Sequence, residues 1–304
     1  MFKYFAFGLT VQSELFFPEL FTTQFFGNAE ICITVGPVPI LSTEANSISQ
    51  NNIIIKGINF FLDIPGVAKY YSSKGKFIVI EPVPNCDLNK LRLYCLSNVF
   101  AALLYQRGII PIHSAALKFN DSLVMICGNS GSGKSTLLAS MISRGFTLFS
   151  DDVCVPVSDT SKGVFMHSSY PMMKFWKDTY TSFSFLGTPD VQLRPDLSKY
   201  GFYFHDKFDT NTYKPNVVFF MEKSPADSEV RIREVQGAEL FQKLESNAYR
   251  GEFLGRIDLR QEHFKLFADL ANQVKGYLVV RPEGLHSVEE ITNIVTEVLK
   301  KNNL

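Results

Sequence analysis

The spacing of apolar and polar positions changes near residue 87. Before it, short apolar runs alternate with turn residues. Residues 2–11 are rich in aromatic and β-branched side chains, as strands are. Ile53-Ile54-Ile55 and Phe77-Ile78-Val79-Ile80 predict further strands, the second after the turn-forming Ser72-Ser73-Lys74-Gly75. Gly36-Pro37 and Pro65-Gly66 mark turns, and the polar run 42–52 predicts a surface loop. From 87 to 106 the apolar residues Leu88, Leu91, Leu93, Cys95, Leu96, Val99, Phe100, Leu103 and Leu104 fall at helical spacing, in a stripe wide enough for a buried helix. Asp87 can cap that helix and Gly108 can end it. Residues 1–105 are therefore expected to be a β-rich section with a linking helix.

Residues 106–304 predict a second, α/β domain. The order is a strand at 123–127, a loop at 128–133, a helix at 134–143 stopped by Gly145, and a strand at 146–149 running into Ser150-Asp151-Asp152. A strand–loop–helix–strand order implies a sheet with a crossover helix. Residues 160–215 carry many aromatics, are broken by Pro171, Pro189-Asp190 and Pro195-Asp196, and read as loop-rich. A strand at 217–221, helices at 238–246 and 262–274, a strand at 277–281 and a closing helix at 288–301 follow.

Composition narrows the function classes. Thirty basic side chains balance thirty acidic ones, which argues against a broad footprint for nucleic acid or an acidic membrane. No apolar run reaches the ~18 residues of a membrane span. The five cysteines, Cys32, Cys86, Cys95, Cys127 and Cys154, are odd in number and form no C-x-x-C pair. A disulfide framework and a cysteine zinc site are not expected. The N-terminal run is interrupted by Tyr4, Gly8, Thr10, Gln12 and Ser13, so no signal-peptide core is read there. The expectation is a soluble, cytoplasmic protein.

Gly128-Asn129-Ser130-Gly131-Ser132-Gly133-Lys134-Ser135 matches G-x-x-x-x-G-K-[ST] in full, with Thr136 following. Glycines let the backbone turn tightly and bring N–H groups near phosphate oxygens. The helix beginning at Lys134 adds its positive dipole end. Lys134 is expected to reach the β- and γ-phosphates of ATP, and the Ser135 hydroxyl to ligate Mg²⁺. Asp151 and Asp152 end the next strand, where one carboxylate can hold Mg²⁺ and the other accept a proton. His113, after Pro111, can orient or tune such a carboxylate. His167, His205, His263 and His286 lack metal-ligand spacing. Lys174, Arg194, Arg250 and Arg256 are cations that can balance a transferring phosphoryl group, or simply surface charges.

Taken together, His113-Ser-Ala, the P-loop, Arg144-Gly145 and Ser150-Asp151-Asp152 resemble the HPr kinase/phosphorylase superfamily, and in particular HPr-kinase-related serine kinases. Some of those are encoded beside lasso-peptide biosynthesis enzymes and phosphorylate the precursor peptide. The stretch F-G-L-x-V-x-S-E-L-x-x-P-E-L at 7–20, Asp63-Ile-Pro-Gly-Val-Ala68, Leu104-Tyr-Gln-Arg-Gly108 and Asn247-Ala-Tyr-Arg250 are similar to theirs. The resemblance implies a phosphoenolpyruvate-carboxykinase-like P-loop kinase domain, with Asp151 as base, His113 assisting, Asp152 near the metal, and Arg250 near phosphate or substrate. It implies transfer of the ATP γ-phosphoryl group to a serine of a peptide or small protein. The E-x-R-G-x-G-like stretch of true HPr kinases is absent from 160–260, which puts HPr itself and phosphorolysis in doubt. A small-metabolite acceptor such as free serine, and a non-catalytic nucleotide-binding module, stay open, as does a homo-oligomer.

Overall fold

A computed structural model describes residues 1–39, 48–50, 52–120, 122–194, 197–225, 229–253, 258–283 and 287–302. Its first sheet has nine strands: β1 (Phe2–Ala6), β2 (Leu9–Ser13), β3 (Phe21–Thr22), β4 (Ile31–Val35), β5 (Ile48–Gln50), β6 (Ile53–Lys56), β7 (Asn59–Ile64), β8 (Ala68–Ser73) and β9 (Phe77–Pro82). Their order is β3-β1-β2-β4-β9-β8-β7-β6-β5, antiparallel except for the β2–β4 and β4–β9 pairs. Residues 2–11 form two of these strands, turning at Phe7-Gly8. The 42–52 run is only partly a loop. Residues 48–50 make the edge strand β5, while 42–47 and 51 lie outside the described residues.

The predicted linking helix is present as α1 (Leu88–Tyr94), a π-helical turn (Cys95–Val99) and α2 (Phe100–Gln106). Asp87 caps it, its carboxylate accepting from the N–H groups of Asn89 at 2.9 Å and Lys90 at 3.2 Å. The helix packs on the first sheet, where Tyr70 donates its hydroxyl to the Leu91 carbonyl at 2.9 Å. A buried ion pair, Arg92 Nε to Glu19 Oε1 at 2.8 Å, ties the helix to the segment between β2 and β3.

The rest of the chain gives β10 (Ser114–Phe119), β11 (Ser122–Cys127), α3 (Lys134–Ser143), β12 (Thr147–Ser150), β13 (Cys154–Asp159), β14 (Gly163–Ser168), β15 (Met172–Trp176), α4 (Lys177–Tyr180), β16 (Val191–Arg194), β17 (Leu197–Tyr203), β18 (Pro215–Ser224), β19 (Arg231–Val235), α5 (Gly237–Glu245), α6 (Arg260–Gln273), β20 (Lys275–Pro282) and α7 (Val288–Lys301). A mixed six-stranded sheet runs β12-β10-β11-β18-β20-β19, with β11–β18 and β18–β20 parallel. Successive residues of β18 enter different cores. Val217, Phe219 and Met221 join Leu137, Leu138 and Met141 of α3 and Ile291, Val295 and Leu299 of α7, while Val218 and Phe220 join the larger cluster on the opposite face. Both faces of this sheet are covered, which is why β11 reads as a continuous apolar run.

The loop-rich reading of 160–215 is overturned. β13 and β14 form a hairpin, and β15, β17 and β16 form a three-stranded sheet. Pro171 and Pro189 lie just before β15 and β16, and cross-strand aromatics replace a simple alternating pattern. Phe175 and Phe202 are buried with ring centroids 5.8 Å apart. Pro195-Asp196 lies outside the described residues. The larger core crosses the 105/106 boundary, with Phe253 against Phe60 at 5.4 Å and against Tyr105 at 6.0 Å. All five cysteines are unpaired. Among the described residues, no helix is long and apolar enough to cross a membrane.

Candidate active site

The glycine loop leaves the second sheet at the end of β11, where Cys127 pairs with Phe220, while β18 and β20 run on together to Ser224 and Pro282. β11 leads into the glycine loop, β18 puts the Met221 carbonyl beside Gly128, and the end of β20 puts Arg281 beside Gly131–Gly133. Gly128 has φ +141°, and a Cβ there would lie 2.5 Å from the Met221 oxygen. Gly133 has φ +103°, and a Cβ there would meet Arg281 Nε at 2.8 Å. Neither position tolerates a side chain, so the motif glycines serve close approach as well as curvature. Arg281 donates through Nε to the Ser132 carbonyl at 2.7 Å and through a terminal nitrogen to the Gly131 carbonyl at 3.3 Å.

Two cavities meet at this edge. The first, about 310 Å³, is lined by Ser130, Gly131, Gly133, Lys134, Ser135 and Thr136 on one wall, and by Asp151, Trp176, Asp178, Thr179 and Lys199 on the other. The second, about 520 Å³, is bounded by Leu93, Tyr94 and Ser97 of the linking helix and by the stretch 246–250. His113, Ser130, Asp152, Lys174 and Lys199 line both.

Between the cavities runs a line of polar contacts. Lys134 Nζ donates to the Gly128 carbonyl at 2.6 Å and the Asn129 carbonyl at 3.2 Å, and lies 3.0 Å from His113 Nε2. Because an ammonium only donates, Nε2 accepts and Nδ1 carries the ring proton. Nδ1 faces the Asp152 carbonyl at 3.1 Å and Asp152 Oδ1 at 3.4 Å. Asp152 Oδ2 accepts from Lys174 Nζ at 2.7 Å. Burial, with the Lys134 charge adding to it, holds His113 below its usual value and keeps it neutral.

The two aspartates are set apart by one residue. Lys174 gives its backbone N–H to Asp151 Oδ2 at 2.8 Å and its ammonium to Asp152. Asp151 is only 5% exposed, and burial, then the Asp152 charge, pushes its carboxyl up. Asp152 feels burial too, but Lys174 and then His113 hold it well below the carboxylate range. Asp152 sits at φ +74°, and the Val153 N–H bonds the Asp151 carbonyl at 2.9 Å across it. That is a γ-turn, a rare conformation for a non-glycine residue. Ser150 Oγ holds the turn by donating to the Val153 carbonyl at 2.7 Å.

The stretch 247–250 is built into the same floor. Asn247 accepts the His113 N–H on its carbonyl at 2.7 Å and the Gly128 N–H on Oδ1 at 3.0 Å. The Tyr249 N–H bonds the Pro111 carbonyl at 2.7 Å, and its ring stacks on His113 at 5.8 Å. Arg250, at φ +56°, borders the second cavity with its Nε buried and unpartnered among the described residues.

Most of the sequence-derived candidates converge. His113, Ser130, Gly131, Gly133, Lys134, Ser135, Thr136, Asp151, Asp152 and Lys174 line the first cavity, and Asn129 and Arg250 the second. Gly128 and Ser132, two of the residues expected to bind phosphate, line neither. Asn247 takes the Gly128 N–H, and the Ser132 N–H is spent on the Asn129 carbonyl at 3.1 Å. Arg144 caps the end of α3 and donates to Asn293 at 2.6 Å. His205 contacts the Pro18 carbonyl, and His263 faces Glu245. His286, Arg256 and the Arg194 side chain lie outside the described residues. Asp178, Lys199 and Arg281 were missed, because nothing local marks a segment that folds back over a loop far away in the chain.

No family model matches the chain, and no curated protein does. Among solved structures, the HPr(Ser) kinase/phosphatase from Coxiella burnetii is similar at 12% identity and a TM-score of 0.30, covering 64% of this chain and 92% of that one. The chemistry of the site rests on its own geometry.

Proposed function

We propose that this protein is an ATP- and Mg²⁺-dependent kinase, built on a phosphoenolpyruvate-carboxykinase-like P-loop domain, that phosphorylates a serine hydroxyl of a peptide or small protein. One observation carries the reading: the P-loop lysine is joined through His113 to Asp152 at the boundary between two cavities. The first cavity takes the triphosphate and the second the acceptor. Phosphoryl transfer depends mostly on position and charge, and this arrangement supplies both.

Lys134 exchanges the Gly128 and Asn129 carbonyls for phosphate oxygens. Asp152 orients the acceptor hydroxyl and takes its proton, because it borders both cavities. Asp151 lines only the first and belongs with the cation. This division reverses the roles the resemblance implies for the pair. The Ser135 hydroxyl makes no hydrogen bond among the described residues, and Asp151 keeps one oxygen free of the Lys174 N–H. No cluster of three His, Cys, Asp or Glu residues is present among the described residues. That donor set fits Mg²⁺, which takes one or two carboxylates beside substrate phosphates. When bound, Mg²⁺ neutralises the phosphate oxygens. Arg250 faces the acceptor.

The test is incubation with γ-labelled ATP, Mg²⁺ and candidate peptides, a lasso-peptide precursor among them, with Lys134→Ala in parallel. Label on one serine, lost in the variant, is expected. Label that persists in the variant overturns the assignment. A second reading, a small-metabolite acceptor such as free serine, is favoured by the volume of the second cavity, about 520 Å³, which is ordinary for small-molecule sites. The same assay with free serine separates the two. Nucleotide binding without transfer to either would indicate a regulatory module.

A further inference from the structure

Four cations surround the first cavity, and three are already engaged. Lys134 is held by two loop carbonyls and His113, Lys174 by Asp152, and Arg281 by the carbonyls of Gly131 and Ser132. Lys199 differs. It lies on β17 directly across from Trp176 of β15, borders both cavities, and its ammonium makes no hydrogen bond or ion pair among the described residues. Its ammonium lies over the Trp176 ring, 5.6 Å from Nζ to the centroid, and within the field of the Asp152 and Asp151 carboxylates. Trp176 is 42% exposed at the cavity wall. Burial, then the Lys174 charge, pushes the Lys199 ammonium below its usual range, a position that an anion in the cavity relieves.

From this geometry we infer that Lys199 is a catalytic residue, the cation that follows the phosphoryl group from the first cavity to the second. The inference rests on the kinase reading. In the transfer, the bond from the β,γ-bridging oxygen to the γ-phosphorus breaks, and its electron pair leaves with ADP. The acceptor oxygen forms the new bond to phosphorus, and its proton passes to Asp152. Lys134 and the loop hold the donor end. Lys199 stands opposite them on the far wall and reaches both cavities, so its charge meets the equatorial oxygens between donor and acceptor. In the resting protein the aromatic face holds the ammonium, and that weak contact is readily exchanged for a phosphate oxygen.

The assignment is tested without knowing the acceptor. Calorimetric titration with MgADP, alone and with aluminium fluoride, compares ground-state binding with a mimic of the group in flight. Wild-type protein is expected to bind MgADP and to tighten on adding aluminium fluoride. Lys199→Ala should keep its MgADP affinity within about threefold yet lose about a hundredfold of the tightening, the scale of one lost donor at a developing charge. Lys199→Arg should recover part of it, and equal MgADP affinity shows that the variants are folded. If Lys199→Ala tightens as the wild type does, the Lys199 assignment falls and the kinase reading stands. If the wild type fails to bind MgADP or fails to tighten, the kinase reading falls and this assignment with it.

Discussion

The two large sheets bury themselves differently. In the first, β1, β2 and β4 alternate a buried position with a partly exposed one, so one face is covered. In the second, β10 is buried at its first four positions and β11 at its last five. Only the second places chemistry at its edge. The glycine loop that leaves β11, the Met221 carbonyl of β18 and Arg281 of β20 meet on the carboxyl side of its three parallel strands, where ligand sites lie in α/β sheets. No residue of the first sheet lines either cavity among the described residues, and its contribution arrives through the linking helix that it supports. A covered sheet fixes strand ends from both sides, which is what a phosphate cradle needs. A one-faced sheet is free to be scaffold.

The sharpest way to break this division is Lys134→Ala. Turnover should fall on the order of a thousandfold while thermal melting stays near wild type, as labelled-ATP assays and calorimetry would show. A normal rate would move the chemistry elsewhere. Next, Asp152→Asn should lower turnover roughly a hundredfold or more. It also leaves the buried Lys174 charge uncompensated, so chemical denaturation should show a loss of about 3–5 kcal/mol. Asp151→Asn should cost less turnover, and the reverse ranking would exchange the two carboxylates.

Glu19→Gln probes the other region. Arg92 would lose its carboxylate partner in a buried setting, where breaking a pair costs about 3–5 kcal/mol. MgATP affinity measured below the transition should not change. A large change in affinity would mean that the first sheet does more than support. The smallest effect belongs to Asp209, which pairs with Lys118 and Tyr213 and is held down to about 2, with burial opposing its hydrogen bonds. Its folded value lies below the unfolded one, so its contribution is present above about pH 4 and is lost as pH falls towards 2. Asp209→Asn should flatten that part of the melting-temperature profile by lowering the melting temperature at neutral pH while leaving it nearly unchanged near pH 2.

The P-loop, the Asp151-Asp152 pair and the linking helix were legible because each is written in adjacent residues. A full G-x-x-x-x-G-K-[ST] match and a helical apolar stripe need no distant partner. The strands of 160–215 were not legible, since aromatics packed from both faces erase the alternating period that marks a strand. The π turn at Cys95–Val99 also leaves no mark in the spacing. Nor did adjacency show how Asp151 differs from Asp152. Lys174, more than twenty positions downstream, gives its N–H to one and its ammonium to the other.

The sequence by itself thus determined the glycine loop, the helix that follows it and the carboxylates just after the next strand, because local backbone chemistry dictates them. Only the tertiary structure decided which groups face one another. Packing brought His113 between Lys134 and Asp152, set Asn247 on the Gly128 N–H, and left Lys199 over Trp176 at the meeting of two cavities. Those are long-range contacts, fixed by which strand ends a doubly covered sheet brings together, and no local pattern encodes them.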